Sequence, residues 1–128
     1  MKVNIIAAEE GKLQAELEVC HEHTNRGGSL HGGFTATLVD QMSTLALLTH
    51  PDENLAAGVS VELNVSFLAA ANVGDLILIE ASTLRKGRNL AYLSVDIMKK
   101  DGRKLIAKAT HVKFIGGCGP ASTSVNKL

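Results

Sequence analysis

The sequence predicts an α+β domain in which a six-stranded antiparallel sheet wraps around one long helix. Apolar and polar residues alternate in six separate runs, the period of strands buried on one face. A single run changes to three- and four-residue steps, the period of a helix. The runs follow one another as β-β-α-β-β-β-β, and one helix covers only one face of such a sheet. A remaining apolar edge or rim is therefore expected to be buried by a second copy of the chain.

The elements follow in order. Val3, Ile5 and Ala7 alternate, then Leu13, Ala15, Leu17 and Val19 do so with Lys12, Gln14, Glu16 and Glu18 between them. The turn at Glu9-Glu10-Gly11 joins these runs as a hairpin. Residues 21–33, with four glycines, read as an ordered loop. The helix is expected over residues 34–48, where Phe34, Leu38, Met42, Leu45 and Ala46 share its period and Leu, Met and Ala favour it. Pro51 and the polar Asp52-Glu53-Asn54 stop it. Residues 59–67 form the next strand, with Val59, Val61, Leu63, Val65 and Phe67 on one face and Ser60, Glu62, Asn64 and Ser66 on the other. Strands over 76–84, 90–98 and 105–114 complete the sheet, the last after a turn at Lys100-Asp101-Gly102. Residues 1–115 are expected to form one domain and residues 116–128, rich in Gly, Ser and Thr, a flexible tail.

Composition narrows the function. The 128 residues carry 13 Lys+Arg and 13 Asp+Glu, so there is no cationic excess to neutralise phosphates. Three Phe, one Tyr and no Trp supply few stacking platforms, and a nucleic-acid partner is excluded on both grounds. The length suits one domain, and zero net charge leaves little electrostatic protection against self-association. Cys20 and Cys118 form neither a metal-ligand spacing nor a disulfide framework, so a reducing setting is expected: cytoplasmic, with the mitochondrion as the alternative. The first apolar run is too short and too acidic for a signal peptide, and no run is long enough to span a membrane. The ending Asn126-Lys127-Leu128 lacks the Ser of a peroxisomal tripeptide.

Polar groups concentrate in residues 21–40, HEHTNRGGSLHGGFTATLVD. Gly32 and Gly33 stand where the helix begins, so their amides lack helical acceptors and can hold an oxyanion, or merely form a tight turn. Asp40 interrupts an apolar helical stretch; it is either a solvated helix residue or a carboxylate facing a cleft or a partner chain. It follows Gly32 by eight residues, about 12 Å along a helix, too far for one small carbonyl to meet both. Two helices antiparallel across a two-fold axis would bring the amides of one chain to the carboxylate of the other. Asn25 and His31 flank the loop and either hold turns or bond a carbonyl or water. His21 and His23 have no third ligand at a supporting spacing, so no metal is expected. Neither a Ser nucleophile elbow nor a P-loop is present. Arg85, Lys86 and Arg88 form a basic turn, a solvated hairpin tip or a grip for a phosphorylated cofactor.

HTNRGGSLHGGFTATLVD, followed by GVSVELNVSFL, resembles the hotdog-fold acyl-CoA thioesterases, and the resemblance runs from residue 3 to residue 114. It implies a tetramer built from two hotdog dimers, with active sites at the dimer interface. The implied activity, in lipid metabolism, is hydrolysis of fatty acyl-CoA, medium to long chains favoured, to free acid and CoA. CoA belongs to the substrate and no cofactor is needed. Asn25 and the Gly32 amide would polarise the thioester carbonyl, with His31 supporting the loop. Asp40 of the other subunit, helped by Ser60, would orient and deprotonate water. Phe67, Leu68, Ala69, Ala70, Ala71 and Asn72 would hold CoA, together with the turn Arg85, Lys86, Gly87, Arg88, Asn89 and Leu90. Two features depart from the family. The chain begins at the first strand without a helical N-terminal extension, and Phe114 stands where a polar residue near CoA is expected. Other readings are a non-catalytic acyl-CoA or lipid-binding hotdog module, an aryl-CoA thioesterase, and a hydratase.

Overall fold

The computed structural model describes residues 2–51 and 56–116. Strands β1 (Asn4–Glu9) and β2 (Lys12–Glu18) form the first hairpin. A 3₁₀ turn at His21–His23 leads into the loop before helix α1 (Gly32–Leu48). Strands β3 (Val59–Phe67), β4 (Leu76–Lys86), β5 (Leu90–Lys99) and β6 (Leu105–Phe114) follow. All pairings are antiparallel, in the order β1-β2-β4-β5-β6-β3. This is the expected α+β arrangement.

The core lies between α1 and the inner face of the central strands. Leu38, Val39, Met42 and Ala46 of the helix meet Leu17, Ile77, Ile79, Val95, Ile97 and Ala109 of the sheet. Each buried Leu or Ile contributes about 1.5–3 kcal/mol of apolar transfer. A smaller cluster, Leu47 with Ala91, Leu93 and Ile115, closes the far end of the helix. α1 starts two residues earlier than the periodicity suggests, because His31 is its N-cap and accepts the Gly33 N–H through its side chain. Thr49 caps the other end ahead of Pro51. The polar stop at residues 52–54 lies outside the described residues, as does the expected tail from residue 117 onward.

Three parts of the apolar surface are left open within the chain. On β3, Val59, Val61 and Leu63 are exposed in the single chain, Val61 at 60%. β3 is an edge strand, and its Val65 is the residue that packs against the core cluster. At the other edge Ile5 and Ile6 are about half exposed, and a register shift between Ile5 and Ala7 interrupts the alternation. The sheet also covers α1 only in part: a stripe of Gly33, Thr37, Gln41, Leu45 and Leu48 stays open. Alternation reports which face a residue takes. It does not report whether anything within the same chain covers that face.

Candidate active site

The start of α1 leaves the Gly32 and Phe34 amides without acceptors among the described residues. The Gly33 N–H is bonded to His31 Nδ1 at 2.9 Å and the Thr35 N–H to the His31 carbonyl. The Gly32 N–H has no acceptor among the described residues, at the positive end of the helix dipole. Gly33 cannot carry a side chain cheaply, since a Cβ would sit 2.9 Å from His31 Cε1. His31 thus shapes this amide cluster as a cap.

Asn25 holds the turn, one of the two readings its sequence position allows. Its Oδ1 accepts the Gly27 and Ser29 N–H groups at 2.9 and 3.2 Å, which orients the side-chain amide. Its Nδ2 hydrogens have no partner among the described residues and can donate to a carbonyl. Beside this loop runs a groove of about 340 Å³ lined by Leu30, Gly32, Thr35, Phe67, Leu68 and Ile106, among others. A larger groove of about 570 Å³ lies along β1, β2 and β4 and contains none of these groups. It offers no comparable chemistry.

His21 and His23 belong to the 3₁₀ turn ahead of the loop. His23 is buried, stacks on Phe34 with ring centroids 4.5 Å apart, and accepts the Cys20 N–H at Nδ1. Among the described residues no group of three His, Cys, Asp or Glu side chains could hold a metal ion.

Asp40 lies two turns into α1 with its side chain half exposed. Across from it, the wholly buried His111 of β6 places Nε2 2.7 Å from Ser60 Oγ and 4.0 Å from Asp40 Oδ1. Its Nδ1 is 2.8 Å from Ser43 Oγ. Burial pushes the His111 pKa down, the Asp40 charge opposes this and Lys113 adds to it. Lys113, also buried, donates to Thr44 Oγ1 at 2.8 Å; burial lowers its pKa too, again opposed by Asp40.

Ser60 faces this cluster because of a bulge at Val61. Leu63 pairs with His111 and Ser60 with Lys113, so residues three apart on β3 share the inner face, which unbroken alternation forbids. Sequence periodicity had assigned Ser60 to the face opposite Leu63. The periodicity also passed over Ser43, His111 and Lys113. The available signal was polar residues at inward positions: His111 and Lys113 continue the buried series Ala107, Ala109 along β6.

The structure therefore brings Asp40 and Ser60 together and keeps Asn25, His31 and Gly32 at the other end of the helix. The two segments assigned to CoA are separated in the same sense. Phe67 pairs with Ala107 and Leu90 with Phe114, about 23 Å apart along β6. Phe67 and Leu68 are exposed, and Ala69 and Ala70 line the groove with them. Ala71 is buried in the core and its carbonyl accepts the Leu30 N–H, which leaves it no ligand contact of its own. The Asn72 N–H bonds to Asp75 Oδ2, the contact that chiefly holds the Asp75 pKa down. Arg85 and Lys86 end β4, Gly87 and Arg88 turn, and the Asn89 carbonyl accepts the Ile115 N–H. Phe114 is 40% exposed at the same end.

A curled antiparallel sheet around one helix is the hotdog fold. The chain belongs to the thioesterase superfamily, whose family model matches residues 27–106. By that membership it is a thioester hydrolase. It is 46% identical to human (Homo sapiens) acyl-coenzyme A thioesterase 13 over 115 residues, 90% of this chain and 81% of the relative. The crystal structure of zebra fish thioesterase superfamily member 2 superposes with a TM-score of 0.86 at 47% identity, over 90% of this chain and 82% of that one. A thioesterase protein of Streptococcus pneumoniae TIGR4, solved with coenzyme A, gives a TM-score of 0.82 at 26% identity, over 89% of this chain and 85% of that one.

Proposed function

We propose that the protein hydrolyses acyl-CoA thioesters to free acid and CoA, at a site completed by two copies of the chain. The observation that carries this reading is the separation of Gly32 and Asp40, about 12 Å along one helix. A thioester carbonyl at the Gly32 amide of one copy meets the Asp40 carboxylate of an antiparallel second copy. The same pairing joins the groove beside Phe67 in one copy to the basic turn 85–90 in the other. Family relatives named for acyl-coenzyme A, and one solved with coenzyme A, support the substrate class.

In this reaction Asn25 Nδ2 and the Gly32 N–H donate to the thioester oxygen and stabilise its developing negative charge. Asp40 of the second copy accepts one hydrogen of a water molecule and Ser60 orients the other. The water oxygen attacks the carbonyl carbon as its proton passes to the Asp40 carboxylate. The tetrahedral intermediate then collapses, the carbon–sulfur bond breaks, and the leaving thiolate takes the proton as CoA thiol. His31 holds the Gly33 amide in place while Gly32 works. Arg85, Lys86 and Arg88 bind CoA phosphates, and no metal or further cofactor takes part. Medium to long fatty acyl chains are the favoured substrates. Pairing of two such dimers gives a tetramer. No helix among the described residues is long and apolar enough to cross a membrane, and the free thiol of Cys20 suits a cytoplasmic setting.

The test is thiol release from short, medium, long and aryl CoA esters, with Asp40→Asn beside the parent. Asp40→Asn is expected to keep the fold and lose about 10²- to 10⁴-fold in turnover, the usual worth of general-base assistance. Parent-rate hydrolysis by that variant would refute the mechanism. Saturable CoA-ester binding by the parent without thiol release would instead identify a binding module.

A further inference from the structure

His111 is a buried titratable group to which the proposed reaction gives no task. Its ring nitrogens bridge two serines, Ser43 on α1 and Ser60 on β3. A neutral imidazole carries one ring hydrogen, so one nitrogen donates and the other accepts. The position of that hydrogen decides which way the Ser60 hydroxyl points.

With the hydrogen on Nδ1, the ring donates to Ser43 Oγ. The Ser43 hydroxyl is then free to donate to the Asp40 backbone carbonyl, 3.2 Å away, which the Thr44 hydroxyl also reaches at 2.8 Å. Nε2 accepts from the Ser60 hydroxyl, and all three hydrogens are used. With the hydrogen on Nε2, Ser43 must turn its own hydrogen to Nδ1 and give up the carbonyl. Ser60 then accepts from the ring, and its hydrogen has no acceptor among the described residues. The first arrangement makes one more hydrogen bond within the protein from the same atoms, because the buried Ser43 hydroxyl keeps its bond to the Asp40 carbonyl. Asp40 Oδ1, 4.0 Å from Nε2, pulls the other way, but its side chain is 50% exposed and screened by solvent. Burial keeps the ring neutral in either arrangement.

We propose that Ser43 is a positioning residue that holds His111 as the Nδ1–H tautomer and so turns the oxygen lone pairs of Ser60 toward the attacking water. The inference rests on the water-attack reading above and adds a hydrogen-bond polarity to it. Ser60, its own hydrogen engaged at Nε2, accepts one water hydrogen while Asp40 takes the other. Both hydrogens face protein oxygens, and a water lone pair is left for the carbonyl carbon. In the opposite tautomer Ser60 would donate to the water oxygen and occupy that lone pair.

The test is a ring-nitrogen NMR spectrum of ¹⁵N-labelled parent protein without substrate, with the His111 signals identified by their loss in His111→Gln. The expected spectrum has a protonated Nδ1 and an unprotonated Nε2. In Ser43→Ala, Nδ1 loses its acceptor, the hydrogen moves to Nε2, and kcat falls about tenfold, the effect of one misdirected hydrogen bond, while KM holds within about twofold. A parent spectrum with Nε2 protonated overturns the inference, as does a Ser43→Ala protein that keeps the Nδ1–H form or the parent kcat. If Ser43→Ala does not fold, the parent spectrum decides alone. Failure of the underlying reaction is read separately: Asp40→Asn would hydrolyse at the parent rate, whatever the tautomer.

Discussion

At Gly32 the missing side chain serves a ligand more than the fold. A Cβ there would touch only the Phe67 ring, at an ordinary 3.5 Å. Gly32→Ala is therefore expected to unfold within about 1 kcal/mol of the parent, yet to lose at least about tenfold in turnover by crowding the open amide. Thermal melts and thiol release measured side by side check this; a fully active Gly32→Ala would remove that amide from the mechanism. Gly33 is the opposite case. Gly33→Ala displaces the capping imidazole and is expected to cost about 0.5–2 kcal/mol of stability. His111 carries a pH dependence. Burial lowers its pKa from the ordinary 6.5, so the unfolded chain takes up a proton there before the folded protein does. The stability from keeping the ring neutral is complete above pH 6.5 and falls as the pH drops below it. Denaturation of the parent and of His111→Gln across that range should show the parent losing ground on acidification. A gap independent of pH would contradict the assignment.

Among the elements, β3 shows most clearly what periodicity can and cannot report. Every regular element was legible, because the two-residue and three-to-four-residue periods persist through β2, α1, β4, β5 and β6. The Gly-Gly at the helix start and the Asp eight residues on were singled out from the sequence as candidates, and they are the groups that the proposed reaction uses. Ser60 was assigned a role only by family resemblance, since a bulge reverses the parity of every residue before it and leaves no mark in the alternation. His111 and Lys113 were missed for a related reason: a mostly apolar strand reads as core even where two inward positions are polar. Deletion of Val61 tests the bulge. It should restore plain alternation with Ser60 still opposite Lys113 and on the face of His111, so the variant should keep more turnover than Ser60→Ala, with circular dichroism unchanged. Turnover as low as that of Ser60→Ala would show that the face Ser60 takes is not what serves the reaction.

For the whole molecule, the central proposal is that one chain holds two half-sites. The carbonyl-binding half lies at the start of α1, and the water-activating half lies further along it with His111 and Ser60. Exposed apolar residues follow the same division: Val59, Val61 and Phe67 on β3, and Leu45 and Leu48 on the open stripe of the helix. A second copy would cover this surface, and a net charge of zero sets no overall repulsion against it. The most direct measurement is complementation between two inactive variants. Asn25→Asp keeps the Oδ1 that holds the loop and removes the Nδ2 donor, while Asp40→Asn removes the base. When the two are co-expressed in equal amounts, random pairing makes half of the dimers mixed, and each mixed dimer has one sound site of two. The account predicts about a quarter of the parent thiol-release rate from two proteins that are each nearly inactive. A mixture no more active than its components would contradict a site shared between copies.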